Sequence, residues 1–346
     1  MRLIAGTRPD RPLTLAEHLA VHGALPRTGR GLVDEVETSG LTGRGGAGYP
    51  LAGKMRTVQS QSRLRGRPVV VVNAAESEPA AVKDASLVTR APHLVLDGAA
   101  ACARAVGARE VVVWVHRGGQ GAEQAVETAA FERLSVGLDT VRVEVVAGPD
   151  RYVSGEASAI VRHLSGGPAM PSATAYRTAE RGVRGRPTLL ANAETFAHAG
   201  LVARHGAAWF RSVGPPDEPG TMLATVRGGV VRPGVVEVPL GAPLVEALEA
   251  CGGLRTPVSA LLVGGVRRQL ALLGRRPHRD TGPGLVGGPR CRPRHRAPAG
   301  AAGRPVRARG GRAAGRLAGR GVGRAVRPVP ERAARHGGRP HGHGDR

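Results

Sequence analysis

The chain contains few of the features that would cross-link a fold or place it in a membrane. Its three cysteines, Cys102, Cys251 and Cys291, are far apart in 346 residues and form no C-x-x-C pair. This spacing argues against a disulfide framework and against a thiolate metal site in the chain as translated. No segment approaches a run of about 18 apolar residues, and the N-terminus has no apolar run of signal-peptide length. We therefore expect a cytoplasmic protein without direct membrane insertion.

The C-terminal segment lacks the residues from which a hydrophobic core is built. Residues 266–346 contain no Lys, Phe, Tyr or Trp, while Arg, Gly and Pro supply 47 of the 81 positions. This segment carries +18 of the net charge of +23, which leaves +5 for residues 1–265. Such a composition cannot offset the entropy of ordering, so we expect a disordered tail. Arginine-rich tails can bind nucleic acid through phosphates, but this one lacks aromatic residues for base stacking.

The preceding part of the chain alternates between short apolar strands and helical patterns. Residues 69–72 are four consecutive valines between Pro68 and Asn73, and "REVVVWVH" and "VRVEVVAGP" repeat the pattern after helical stretches. This order predicts an α/β fold with a parallel sheet covered by helices. Ligands of such sheets bind at the carboxyl ends of the strands, where residues 73–78 and 148–156 fall.

A second unit follows near Gly220. "TMLATVRGGVVRPGVVEVPLG" indicates strand, turn and strand, and "APLVEALEACGG" indicates an amphipathic helix that ends in glycines. Two strands and a helix in so short a segment suggest a small β-grasp-like module. We expect the stretch through residues 184–206 to be irregular. The predicted divisions are an N-terminal arm (1–30), an α/β domain (31–215), the module (216–265) and the tail (266–346).

The stretch "GLTGRGGAGYPLAGK" has the spacing G-x-G-x-x-G at Gly43, Gly45 and Gly48. The segment before it has helical spacing, so the strand that precedes an ordinary Rossmann fingerprint is absent. Glycines let backbone N–H groups approach an anion, while Arg44 and Lys54 add positive charge. "LAGKMRTVQS" can begin a helix whose N-terminus would reinforce phosphate binding. The alternative is a mobile surface loop.

Two further stretches place polar side chains after predicted strands. "NAAESEP" places Asn73, Glu76 and Glu78 where they could bond the hydroxyls of a ribityl or ribose group, or form only a solvated loop. "YVSGEASA" places Tyr152 before a helix with Glu156 in its first turn. That carboxylate could contact a ligand or simply complement the helix dipole.

Together these stretches resemble the NADH-oxidising FMN flavoprotein subunit of NADH:quinone oxidoreductase (respiratory complex I) and the related diaphorase subunits. The resemblance extends from about Gly40 to Gly265 and rests on several motifs in the same order. They are the glycine-rich stretch, "VVNAAESEPAAVKD", "PHLVLDGAAACARAVGA", "YVSGEASAIVRHLSGGPAMP" and "RGRPTLLANAETFAH". It implies a Rossmann-like FMN- and NADH-binding domain with a parallel sheet, followed by a small β-grasp (SLBB-like) domain.

The resemblance also implies cofactors and the residues that hold them. FMN would lie on the glycine-rich loop with NADH stacked against it, and hydride would pass to the flavin N5 without a side chain acting as acid or base. We expect Lys54 and the glycine amides to hold phosphate, and Glu76 and Glu156 to orient nucleotide hydroxyls. The matching positions are Gly43, Arg44, Gly45, Gly46, Gly48, Tyr49, Lys54, Asn73, Glu76, Tyr152, Gly155, Glu156, Asn192 and Thr195.

Three positions depart from the family's motifs. Ala75 stands where "NADE" has its aspartate, Ala157 where "GEE" has its second glutamate, and Ala191 where "NN" has its first asparagine. Flavin binding is therefore better supported than NADH specificity, and a non-catalytic flavin- or ligand-binding remnant is the alternative. The expected partners are other subunits of such a complex, including a small iron–sulfur subunit, which would hold the chain peripherally at the inner face of the membrane.

The family's C-terminal helical domain binds a 4Fe–4S cluster through four cysteines, whereas residues 266–346 contain only Cys291. Back-translation with GC-rich codons, shifted by one nucleotide, permits Y-G-G-N-W-L from residues 265–271. The same frame permits C-G-P-C-L-N-G-L-P-D-M-A from residues 326–338, and both strings are family-like. We therefore interpret the tail as a frameshifted remnant of the cluster domain, with a genuine nucleic-acid-binding extension as the rival.

Overall fold

The computed structural model describes residues 1–45, 47–76, 78–119, 121–173 and 176–264, and the backbone of residues 269–272. The predictions for Gly46 and for the tail after residue 272 lie outside these residues. The helices are Leu15–His22 (α1), Leu32–Ser39 (α2), Leu51–Arg65 (α3), Lys83–Arg90 (α4), Pro92–Val106 (α5), Ala122–Ser135 (α6), Ala157–Leu164 (α7), Ala193–Arg211 (α8) and Leu244–Ala250 (α9). The strands are Val69–Asn73 (β1), Glu110–His116 (β2), Arg142–Gly148 (β3), Thr188–Asn192 (β4), Thr221–Val226 (β5), Gly234–Pro239 (β6), Ala260–Val263 (β7) and Gln269–Leu272 (β8).

The first four strands form one parallel sheet in the order β3-β2-β1-β4. The valines of β1 are buried on both faces: Val70 and Val72 pack in one hydrophobic cluster, Val69 and Val71 in another. Burial on both faces explains why this strand is uniformly apolar rather than alternating. The predicted parallel α/β sheet is confirmed.

The strand order reverses at β1, because β2 and β3 lie on one side of it and β4 on the other. Asn73, the last residue of β1, is the register partner of Asn192, the last residue of β4. This is a topological switch point, where a crevice opens at the carboxyl ends of the strands.

The expectation of irregular structure through residues 184–206 was wrong. This stretch contains β4 and most of α8, the longest of the described helices. The strand is short and fully buried, and the helix starts at the next residue, so no polar alternation or loop signal marks them. Helix α8 packs closely on α5: a Cβ on Gly98 would lie 1.6 Å from the Phe196 carbonyl oxygen, so only glycine permits this contact.

Helix α5 also carries a buried ionic cluster, which we call the Asp97 cluster. Asp97 contacts His18 Nε2 at 2.7 Å and Arg133 Nη2 at 2.8 Å, and it pairs with Arg204. These partners belong to α1, α6 and α8. Burial alone would raise the pKa of Asp97, but the hydrogen bond from His18 and the two guanidinium groups hold it well below its usual range.

The second unit contains two antiparallel pairs, β5 with β6 and β7 with β8, and helix α9. Strand β8 lies beyond the predicted boundary at Gly265, inside the segment expected to be disordered. Regular structure therefore extends further along the chain than composition indicated. Within the described part of the chain, no helix is both long and apolar enough to cross a membrane.

Candidate functional site at the switch point

The glycine-rich loop lies at the carboxyl end of β4, and hydrogen bonds join its two ends. An isolated antiparallel bridge joins Thr42 to Pro50, and Gly43 N–H donates to the Tyr49 carbonyl at 2.9 Å. Gly48 has φ +59°, a left-handed conformation that favours glycine. A Cβ on Gly45 would lie 3.6 Å from Asn192 Cγ, so the loop backbone approaches the switch point directly.

Helix α3 begins at the end of this loop with buried residues Leu51 and Ala52, and Leu51 N–H donates to the Leu41 carbonyl at 3.0 Å. Its N-cap is Pro50, no side chain caps its first amides, and its first turn contains no acidic residue. Lys54 lies there instead, and its Nζ donates to the Leu190 carbonyl at 3.0 Å. Burial lowers the pKa of Lys54, and no neighbouring carboxylate among the described residues counteracts this effect. A helix N-terminus with an unneutralised ammonium group favours an anion such as phosphate.

Two aromatic side chains lie exposed in the motif segments. Tyr49 is 41 % exposed, and its ring covers Gly53, where a Cβ would lie 3.4 Å from Tyr49 Cε1. Tyr152 is 51 % exposed and belongs to the 3-10 turn Tyr152–Gly155 after β3. Exposed rings of this kind can stack on a planar ligand.

Asn73 joins the end of β1 to this 3-10 turn. Its Nδ2 donates to the Gly155 carbonyl at 2.8 Å, and its Oδ1 accepts from Ala75 N–H at 3.1 Å. Glu156 is the N-cap of α7, with Oε2 accepting from the amides of Ser158 at 2.9 Å and Ala159 at 3.3 Å. These contacts agree with the interpretation that the Glu156 carboxylate complements the dipole of α7. Every described hydrogen bond to it ends on Oε2.

A charged group, here called the site cluster, adjoins Asn192 at the end of β4; two of its members are buried and two are half-buried. Lys83 Nζ donates to Asp84 Oδ2 at 2.6 Å and to Glu194 Oε2 at 2.8 Å. Asp84 also accepts from Asn192 Nδ2 at 3.2 Å, which links the cluster to the switch point. Glu76 Oε2 accepts from the amide N–H groups of Asp84 at 3.1 Å and Ala85 at 3.4 Å. The site cluster consists of Lys83, Asp84, Glu194 and Glu76.

The charges of the site cluster are unequal, with three carboxyl groups around one ammonium. Burial, reinforced by the Asp84 carboxylate, raises the pKa of Glu76 to about 7. Burial also raises the pKa of Glu194, although Lys83 opposes this. Burial alone would lower the pKa of Lys83, but the surrounding carboxylates raise it. The lysine is therefore charged, and the raised pKa values mean that Glu76 and Glu194 bind protons more readily than usual.

The structure corrects the prediction for Arg44 and adds residues that sequence reasoning missed. Arg44 is only 6 % exposed, and its guanidinium donates to the backbone carbonyls of Thr42, Pro219 and Thr221 instead of adding charge for an anion. Thr195 Oγ1 accepts from Arg44 N–H at 2.9 Å and donates to Asn192 Oδ1. No role was predicted for Lys83, Asp84 or Glu194. The only sequence feature that could have indicated them is their charge, within the motif stretches "AAVKD" and "ANAET".

A parallel sheet with an anion-favouring glycine loop at its switch point defines an α/β protein of the nucleotide-binding class. Two family models match the chain: the Nuo51 FMN-binding domain over residues 36–200 and the SLBB domain over residues 223–271.

Relatives and solved structures agree with these matches. The chain is 34% identical over 234 residues to an NADH-quinone oxidoreductase F subunit of Rhizobium meliloti, covering 65% of this chain and 54% of the relative. It is 34% identical over 247 residues to the corresponding F subunit of Mycobacterium tuberculosis, covering 68% and 56%. A solved NAD+-reducing NiFe hydrogenase has a TM-score of 0.65 at 32% identity, covering 71% of this chain and 42% of that one.

The chain thus contains a Nuo51 FMN-binding domain and an SLBB domain, and the resemblance to the F subunits of NADH:quinone oxidoreductase that the motifs indicated is confirmed. The chain spans about half the length of the curated relatives that it matches.

Proposed function

We propose that this chain binds FMN at the switch point and oxidises NADH, as the electron-input subunit of an NADH:quinone oxidoreductase-like complex. The observation that carries the proposal is the unneutralised Lys54 ammonium at the uncapped start of α3. It lies next to the carbonyl of Leu190, two residues before Asn192, at the edge of the sheet where nucleotides bind.

The residues present fit a flavin nucleotide. Lys54 and the amides that follow Leu51 in the first turn of α3 would hold the phosphate, and the backbone of Gly45, which approaches Asn192, would lie beside the ligand. Tyr49 and Tyr152 would cover planar rings. FMN, when bound, supplies the chemistry of hydride acceptance from the nicotinamide. The protein's part is to orient both nucleotides and exclude water, without a general acid or base.

The second candidate, a flavin-binding protein without NADH oxidation, is favoured by the lost carboxylates. Ala75 is 8 % exposed and packs in the same hydrophobic cluster as Trp114 and Ile160. Ala157, the first residue of α7, carries no carboxylate beside Glu156. Two acidic groups that family members place near the nicotinamide nucleotide are therefore missing.

The test is a visible absorption spectrum of the purified full-length chain with FMN, recorded before and after NADH is added without oxygen. Bound flavin that bleaches supports the proposed activity. Bound flavin that stays yellow favours the second candidate, and a folded chain that binds no flavin contradicts both. NADPH in a parallel cuvette shows the nucleotide preference.

We further propose that electrons leave to a partner's redox centre or to a small acceptor, because residues 266–346 contain only Cys291 as a thiolate ligand. The proposed partners are the other subunits of the complex, including a small iron–sulfur subunit, and the proposed location is the cytoplasmic face of the membrane. Resequencing the gene tests the frameshift. If the shifted reading frame of the resequenced gene contained no cysteine codons, the frameshift hypothesis would be contradicted.

A further inference from the structure

Strand β5 of the second unit contacts three segments of the site, two through backbone groups of its free edge and one through a side chain. The Thr221 carbonyl accepts from Arg44 Nε at 3.1 Å, and Leu223 N–H donates to Glu194 Oε1 at 2.8 Å. Thr225 Oγ1 accepts from Val82 N–H at 3.0 Å. The backbone groups of alternate strand residues point to the same edge, and the opposite edge pairs with β6. The free edge of β5 therefore bonds to the site instead of to another strand.

The Arg44 contact is the most extensive of the three. Its backbone lies between Gly43 and Gly45, and its guanidinium spans the Thr42 carbonyl and those of Pro219 and Thr221. Its amide N–H also donates to Thr195 Oγ1, which donates to Asn192 Oδ1. One buried side chain thus joins the glycine-rich loop to β5, while its backbone joins the loop to the start of α8.

The Glu194 contact connects β5 to the site cluster. Glu194 accepts from Leu223 N–H through Oε1 and from Lys83 Nζ through Oε2, and it is fully buried at the start of α8. The Arg44 guanidinium stabilises its charged form, as Lys83 does. A shift of β5 would leave buried polar groups on Arg44 and Glu194 without partners, which is costly.

We propose that β5 sets the shape of the flavin pocket, with Arg44 and Glu194 as positioning residues that act through the loop and α8. This inference rests on the proposed function. The second unit is then an integral part of the flavin site rather than an appended domain. Arg44 suits this role because its planar guanidinium group has five donors and can bond several carbonyls at once, which a lysine cannot do.

The test is the Kd for FMN, measured by quenching of flavin fluorescence on the full-length chain. Arg44→Ala is expected to raise the Kd at least tenfold, and millimolar ethylguanidinium is expected to restore most of the affinity. The Kd of Arg44→Lys for FMN should lie between those of the wild type and Arg44→Ala. The matched control is Arg56→Ala on α3, which removes the same charge from a surface pair with Asp34 and Glu37. Its Kd should stay within twofold and not respond to ethylguanidinium.

A folded Arg44→Ala variant with an unchanged Kd would overturn the inference while leaving the proposed function intact. A wild-type chain that binds no FMN overturns both. Should Arg44→Ala fail to fold, Thr225→Val removes the acceptor for Val82 N–H with little change of shape. It is expected to raise the Kd a few-fold, and an unchanged value would count against the template role of β5.

Discussion

The α/β domain contains two largely buried charged clusters. Cationic side chains outnumber carboxyl groups in one cluster, and carboxyl groups outnumber cations in the other. In the Asp97 cluster one carboxylate is surrounded by His18, Arg133 and Arg204, and its pKa is held low. In the site cluster three carboxyl groups share one lysine, and the pKa values of Glu76 and Glu194 are raised. In the first cluster the cations outweigh the effect of burial on the carboxyl pKa, whereas in the second burial outweighs the effect of Lys83 on Glu76 and Glu194.

This difference separates a structural role from a functional one. Buried charges that are fully paired hold helices together, whereas perturbed and incompletely paired groups concentrate at ligand sites. Lys54 extends the contrast, because it is a largely buried cation without a carboxylate partner among the described residues. We infer that the switch point sacrifices stability for ligand binding and that the Asp97 cluster does not.

The largest expected effect comes from breaking the Asp97 cluster. Asp97→Asn leaves buried cations without their shared anion, which should lower the free energy of unfolding by about 3–5 kcal/mol. Urea denaturation of the full-length chain measures this. The control is Glu144→Gln, which removes an exposed pair with Arg142 at 3.6 Å and should cost less than about 1 kcal/mol. A similarly small cost for Asp97→Asn would contradict the structural assignment.

A change at Lys54 should affect flavin affinity and leave the stability of the ligand-free protein nearly unchanged. Lys54→Met removes a charged donor to the phosphate and should weaken FMN binding by about 2–3 kcal/mol, or roughly 30- to 150-fold. The ligand-free protein should change little in stability, because relief of the desolvated, unpaired charge offsets the lost bond to the Leu190 carbonyl. Flavin titration and thermal denaturation give the two values. Arg63→Met, on the exposed end of α3, should change neither. Loss of stability without loss of flavin affinity would show that Lys54 is structural.

The most gradual effect is a pH dependence of stability that belongs to Glu76. Its pKa is raised in the folded state from about 4.5 to about 7, so the folded protein holds a proton that the unfolded chain releases in this window. Stability should therefore fall between pH 4.5 and 7, by up to about 3 kcal/mol over the whole range. Glu76→Gln should flatten that part of the profile, as measured by urea denaturation across the range. An unchanged slope would exclude Glu76 as the titrating group.

Much of the fold could be predicted because the signals were local. The valine runs of β1 and β2, the helix of "PHLVLDGAAACARAVGA" and the hairpin of β5 and β6 all appear as expected. Strand β4 and the first half of helix α8 were missed because burial on every side removes the alternation on which prediction depends. The predicted site residues Gly45, Lys54, Asn73 and Asn192 do meet at one edge.

The sequence by itself determined the parallel α/β class, the order of the motifs and the family, because each depends on residue types at fixed spacing along the chain. Tertiary structure alone decided that Arg44 faces β5 instead of an anion and that Lys83, Asp84 and Glu194 form one cluster. These contacts join residues far apart in sequence, and the direction of a long charged side chain depends on which carbonyls and carboxylates the folded chain brings within reach.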